Sequence, residues 1–126
     1  LGGALATIGA CYFSHIYPGI KVSCVTFGSP RVGNNNFVNA FNNNVMESYR
    51  FVNDNDPVPC LPSRLRYKHV NGCKWLYQDK ILSETKGWRF YRFLKNTFLS
   101  LFGYGYNALN DHSCETYIDD LNNVSD

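Results

Sequence analysis

The strongest constraint on this chain is the alternation of two short β-rich runs with two stretches of helical periodicity. "IKVSCVTF" (20–27) is β-branched and apolar on both parities, the pattern of a strand covered on both faces, and "SYRFVN" (48–53) reads as the next strand. Between them Phe37, Val38, Phe41 and Val45 recur at helical spacing, and the asparagines around them read as a solvated face. Ahead of the first strand, Leu1, Ala4, Leu5, Ile8, Cys11, Tyr12 and His15 form a three-and-four stripe that predicts a helix with this face buried, ended by Pro18-Gly19. Helix, strand, helix, strand in that order predicts an α/β fold with parallel neighbours in the sheet. Gly2, Gly3, Ala4 and Ala6 would weaken the first helix in isolation, so they predict another backbone passing close to it.

The 126 residues make one domain or part of one. With 44% hydrophobic and 17% charged residues the composition is globular, and no apolar run reaches the ~18–20 residues of a membrane-spanning helix. The five cysteines have no metal-ligand spacing; Cys11 and Cys24 sit in apolar runs and read as small hydrophobes, which favours free thiols and leaves pairing of the others open. The net charge of +2 conceals a basic block, since residues 64–95 hold nine Lys and Arg against Asp79 and Glu84. No nucleic-acid motif accompanies it, so nucleic acid is not expected as a partner, and no third ligand joins Asp56 and His112 to form a metal site. No cofactor is expected.

Farther along, "RYKHV" and "CKWLYQ" flank Asn71-Gly72, which predicts a β-hairpin. Phe90, Phe93, Leu94, Phe98, Leu101 and Phe102 line one side of a predicted amphipathic helix with Arg89, Arg92 and Lys95 on the other, and a last helix is predicted from about Ser113 to Leu121.

Active-site groups in such sheets lie beyond the carboxyl ends of the strands. Asp56 follows the second strand directly, and Pro57 restricts the backbone by which it leaves. A carboxylate held there could orient an imidazole. Asp54 reads as a turn residue. Three histidines compete for the base: His15 on the first helix, His69 inside the predicted hairpin, and His112 in a loop just before the last helix. Leu1-Gly2-Gly3 fits the second half of a G-x-S-x-G nucleophile elbow, with the serine expected immediately before Leu1.

Taken in order, "LGGALA", "TFGSPRVGNNNF", "RFVNDNDPVPCLP" and "DHSCETY" closely resemble the carboxyl-terminal half of the class 3 lipases, the fungal-lipase-like branch of the α/β-hydrolases. The resemblance implies a partial α/β-hydrolase fold over 1–126, a mostly parallel sheet flanked by helices, with the amino-terminal half, lid and nucleophilic serine outside it. It implies that Asp56 is the triad acid, His112 the triad base, Leu1 an oxyanion-hole backbone donor, and Gly2 and Gly3 the elbow glycines. The implied activity is hydrolysis of carboxylic esters, as in a triacylglycerol lipase, with a lipid or acylglycerol substrate at a lipid–water interface. A catalytically inactive scaffold or membrane-surface binding protein is the alternative. Trp88, Phe90, Arg92, Phe93 and Lys95 could supply peripheral membrane contact, although a helix packed on the sheet is the commoner use of such a pattern. Half of a central sheet would expose an unpaired apolar edge, so the chain alone is expected to aggregate or stay partly unfolded, and to be inactive.

Overall fold

The computed structural model describes residues 1–53, 56–77, 80–83 and 110–124. Helix α1 (Gly2–Ile16) leads into strand β1 (Ser23–Phe27), helix α2 (Asn35–Asn44) and strand β2 (Glu47–Asn53). A 3-10 turn at Val58–Cys60 precedes strands β3 (Cys73–Tyr77) and β4 (Lys80–Ser83), and another at Asn110–His112 precedes helix α3 (Cys114–Asn122). The sheet order is β1-β2-β3-β4, with β1, β2 and β3 parallel and β4 antiparallel to β3. The predicted α/β class and its parallel neighbours are thus realised, and α3 begins within a residue of the predicted start, capped by Ser113, whose Oγ accepts the Thr116 N–H at 3.1 Å.

The buried face of α1 is not the predicted one. Thr7, Ala10 and Ser14 are buried, whereas Leu5, Ile8, Tyr12 and Phe13 are exposed, as is His15. The reason is the close approach that the small residues foretold: a Cβ on Gly3 would lie 2.8 Å from Ser29 Cβ, leaving no room there for a large side chain. The hydroxyls can be buried because each is satisfied within the helix, Thr7 Oγ1 donating to Gly3 O at 2.8 Å and Ser14 Oγ to Cys11 O at 2.9 Å.

Beneath α1, Ala10 joins Cys24, Phe41, Val45 and Val70 in one core cluster. Burial of the Phe41 side chain, which is fully covered, stabilises this layer by about 2–3 kcal/mol. Burial along β1 alternates, with Cys24 and Thr26 covered and Ser23, Val25 and Phe27 exposed, so two-sided coverage of this strand is not what the described residues form. Both α1 and α2 attach to the face carrying Cys24; on the other, Phe27 stacks on Phe51 at 5.2 Å and meets Tyr117 of α3 edge-on at 5.9 Å.

The predicted hairpin at Asn71-Gly72 does not form. β3 pairs in parallel with β2 and antiparallel with β4, and "RYKHV" contributes only an isolated bridge from Lys68 to Gly33. Gly72 does take a positive φ of 85°, but for another purpose: a Cβ there would overlap the Ser48 carbonyl, and Gly72 O accepts the Arg50 N–H at 2.8 Å. The glycine lets the incoming chain dock against the start of β2. Some asparagines also do more than face solvent, since Asn34 caps α2 by accepting the Phe37 N–H and Asn42 Oδ1 accepts the Asn71 N–H, both at 3.1 Å.

Cys11, Cys24 and Cys114 are free thiols. Among the described residues no helix is long and apolar enough to cross a membrane, and no His, Cys, Asp and Glu cluster could hold a metal ion. Asp54 and the predicted aromatic-basic helix, with Trp88, Phe90, Arg92, Phe93 and Lys95, lie outside the described residues.

Candidate active site

Asp56 stands three residues past the end of β2 and is completely buried. A carboxylate in that position must be met by donors. Its Oδ1 accepts the Val58 N–H at 2.9 Å, an Asx turn that Pro57 helps to set, and its Oδ2 accepts both His112 Nδ1–H at 2.9 Å and the Tyr117 hydroxyl at 2.7 Å. The Tyr117 oxygen in turn accepts the Asn53 N–H at 3.0 Å, and Asn53 Nδ2 donates to Asp120 Oδ2 at 2.6 Å. Helix α3 is therefore fastened to the end of β2 by Tyr117 and Asp120, and that fastening sets His112, two residues before the helix, against Asp56.

Gly28, just past β1, lies beneath this pair. Its φ is 60°, and a Cβ there would stand 2.7 Å from Asp56 Oδ2 and 2.8 Å from His112 Cε1 and Nδ1. Only a residue without a side chain leaves room for the imidazole and carboxylate to meet. The loop carrying Asp56 is held from behind: the Arg31 guanidinium donates to the carbonyls of Cys60 and Pro62, the latter at 2.6 Å, and the Arg31 N–H donates to Leu61 O at 2.8 Å. His69 serves the same loop, its Nε2–H donating to Pro59 O at 2.7 Å.

His112 opens onto a mostly apolar cavity of about 450 Å³, whose walls include Leu1, Gly2 and Gly3 on one side and Phe27, Ile118 and Leu121 on the others. With Nδ1 committed to Asp56, Nε2 is the nitrogen able to accept a proton. Gly2 and Gly3, the first residues of α1, line this space, so the positive end of the helix dipole lies beside it. The five residues singled out from the sequence thus converge here: Asp56 and His112 in contact, Leu1, Gly2 and Gly3 around the same cavity. His15 and His69 are elsewhere. Sequence reasoning missed Gly28, Arg31 and Tyr117. The Gly-Ser-Pro turn after a strand was a usable signal for Gly28, but nothing local marked Tyr117, whose partners lie more than 60 residues earlier.

A mostly parallel sheet, helices packed on it and an acid–imidazole pair past the strand ends together make a partial α/β-hydrolase fold. The same architecture is present in the crystal structure of a mutant form of MDLA from Penicillium cyclopium, to which this chain is similar with a TM-score of 0.51 and 31% identity over 68% of this chain and 32% of that one. The chain belongs to the class 3 lipase family, whose model, described as Lipase (class 3), matches residues 1–65. It is 40% identical over 77 residues to secreted mono- and diacylglycerol lipase 1 of Fusarium solani, covering 60% of this chain and 22% of that protein. It is 31% identical over 115 residues to secreted mono- and diacylglycerol lipase LIP2 of Malassezia restricta, covering 89% of this chain and 35% of that protein. The chain thus spans between a fifth and about a third of the length of these relatives.

Proposed function

We propose that this chain supplies the acid, the base and one oxyanion donor of a serine ester hydrolase that acts on acylglycerols in lipid breakdown. The observation that carries the reading is the 2.9 Å His112–Asp56 hydrogen bond at the edge of an apolar cavity that Leu1-Gly2-Gly3 also lines. The nucleophile is a serine directly preceding Leu1 in the parent protein. His112 Nε2 takes its proton as the hydroxyl attacks the ester carbonyl and returns a proton to the departing alcohol; Asp56 fixes the tautomer and stays ionised. The Leu1 N–H stabilises the tetrahedral oxyanion, worth on the order of 3–4 kcal/mol. The apolar walls suit an acyl chain, and the names of the relatives support partial glycerides as substrates.

Serines within the chain fit the role poorly. Ser29 is fully buried with its hydroxyl directed at Pro30 O, and Ser113 is occupied in capping α3. The chain by itself is therefore expected to lack hydrolytic activity. Fluorophosphonate labelling of the full-length parent, with peptide mapping of the adduct, tests the reading. An adduct on the serine before Leu1, lost in His112→Ala, is the expected result; folded parent that takes no label refutes it and favours the non-catalytic scaffold.

A further inference from the structure

A second cavity, of about 660 Å³, opens at the other end of the sheet. Ser48, Lys74 and Ser83 line it from the beginnings of β2 and β3 and the end of antiparallel β4, whereas Gly28 and Asp56 follow the opposite, carboxyl ends of their strands. It shares no lining residue with the cavity beside His112.

Its character is set by cations. Arg64, Lys68 and Lys74 converge on it together with the buried Arg31, and among the described residues no carboxylate lines it. Two of these cations interact with uncharged groups: Lys68 Nζ donates to Arg64 O at 2.9 Å, and Lys74 Nζ stands 5.9 Å from the centroid of the Tyr49 ring. Arg64, Lys68 and Lys74 all come from the basic block at residues 64–95, which the proposed hydrolysis leaves unused. Like charges around a concave, low-dielectric wall reinforce one another's field and favour a counter-anion in the space between them. The hydroxyl of Tyr67 adds a neutral donor on the same lining.

The number and spread of the donors discriminate among anions. A carboxylate is satisfied by one guanidinium fork, whereas a phosphate monoester carries about 1.5–2 negative charges and three strong acceptor oxygens. The volume falls within the ~300–1,000 Å³ of small-molecule sites, leaving space for the esterified alcohol beside the phosphate. We propose that this cavity is a binding site for a phosphate ester, separate from the ester-hydrolysing site. The same group is offered by a phosphorylated small molecule and by an anionic lipid headgroup.

The test uses the full-length protein at constant ionic strength. Glycerol 3-phosphate is titrated calorimetrically against a chloride control, and flotation is measured with phosphatidylcholine vesicles with and without phosphatidic acid. Binding of the soluble probe identifies the small-molecule source, and binding only to phosphatidic-acid vesicles identifies the lipid source. In either case Lys68→Gln with Lys74→Gln weakens binding about tenfold or more, while Lys68→Arg with Lys74→Arg retains it. Melting temperature and ester turnover serve as controls on folding, and exposed Arg64→Gln replaces the double variant should that fail to fold. Phosphate binding no tighter than chloride by both probes, or glutamine variants that bind as wild type does, overturns the proposal.

Discussion

Replacing Tyr117 by Phe removes one oxygen atom and two hydrogen bonds. The hydroxyl donates to Asp56 Oδ2 at 2.7 Å and accepts the Asn53 N–H at 3.0 Å, both in the interior. The phenyl ring retains the edge-on contact with Phe27, so little packing is lost. A hydrogen bond to a charged group contributes about 1.5–3 kcal/mol, and an amide N–H left buried without a partner costs about 1–3 kcal/mol. Since the two share one oxygen and are not additive, a stability loss of about 3 kcal/mol is expected, a large share of the 5–15 kcal/mol typical of a domain. Urea unfolding of the full-length protein should show the midpoint falling by about 1–2 M at an m-value near 2 kcal/mol/M. Because the His112–Asp56 bond survives but its carboxylate is less firmly held, kcat for a short-chain ester should fall about tenfold with KM unchanged. A variant within about 0.5 kcal/mol of wild type and with unaltered kcat would refute the claim that this hydroxyl holds the site together.

Gly28→Ala should reduce kcat/KM by more than about a hundredfold, because its methyl group would intrude between Asp56 and His112, and should cost about 1–2 kcal/mol of stability from the positive φ together with about 1.5–3 kcal/mol from the disrupted His112–Asp56 bond; steady-state kinetics beside thermal melting reads the two effects. Arg31→Met leaves the Cys60 and Pro62 carbonyls without their guanidinium donor and should destabilise by about 3 kcal/mol, with hydrogen exchange rising first across 56–62. Exposed Cys114 should react first with a thiol reagent at pH 8, and a bulky adduct there should block ester turnover, since it lines the cavity beside His112. Burial pushes the Cys11 and Cys24 thiols above the ordinary range, so they stay protonated at that pH and should react only as the pH is raised further, which mass spectrometry of the labelled peptides would follow.

Elements whose signals are local were legible in the sequence. β2, the Pro57 restriction on Asp56 and the start of α3 near Ser113 each depend on neighbours a few residues away, and they put Asp56 and His112 at element ends. The face of α1 was not legible by hydropathy, because Thr7 and Ser14 count as polar until their hydroxyls are seen bonded to the helix's own carbonyls. Gly72 misled for a related reason: its positive φ fits a hairpin, yet the requirement it meets is space against Ser48, a tertiary demand that no dipeptide encodes. Tyr117 and Asp120 were invisible because their shared partner, Asn53, lies 64 and 67 residues earlier.

The fastening of α3 to β2 also fixes when the acid–imidazole pair can exist. Synthesis delivers β1 and β2 before α3, so Asp56 leaves the ribosome with its loop 56 residues ahead of His112. At roughly 5–20 residues per second that interval is several seconds, long enough for a sheet to begin folding. Throughout it Asp56 has no imidazole and no Tyr117 hydroxyl, and must remain solvated rather than buried. The last helix to dock is therefore both the lock on the sheet and the step that brings the pair into being.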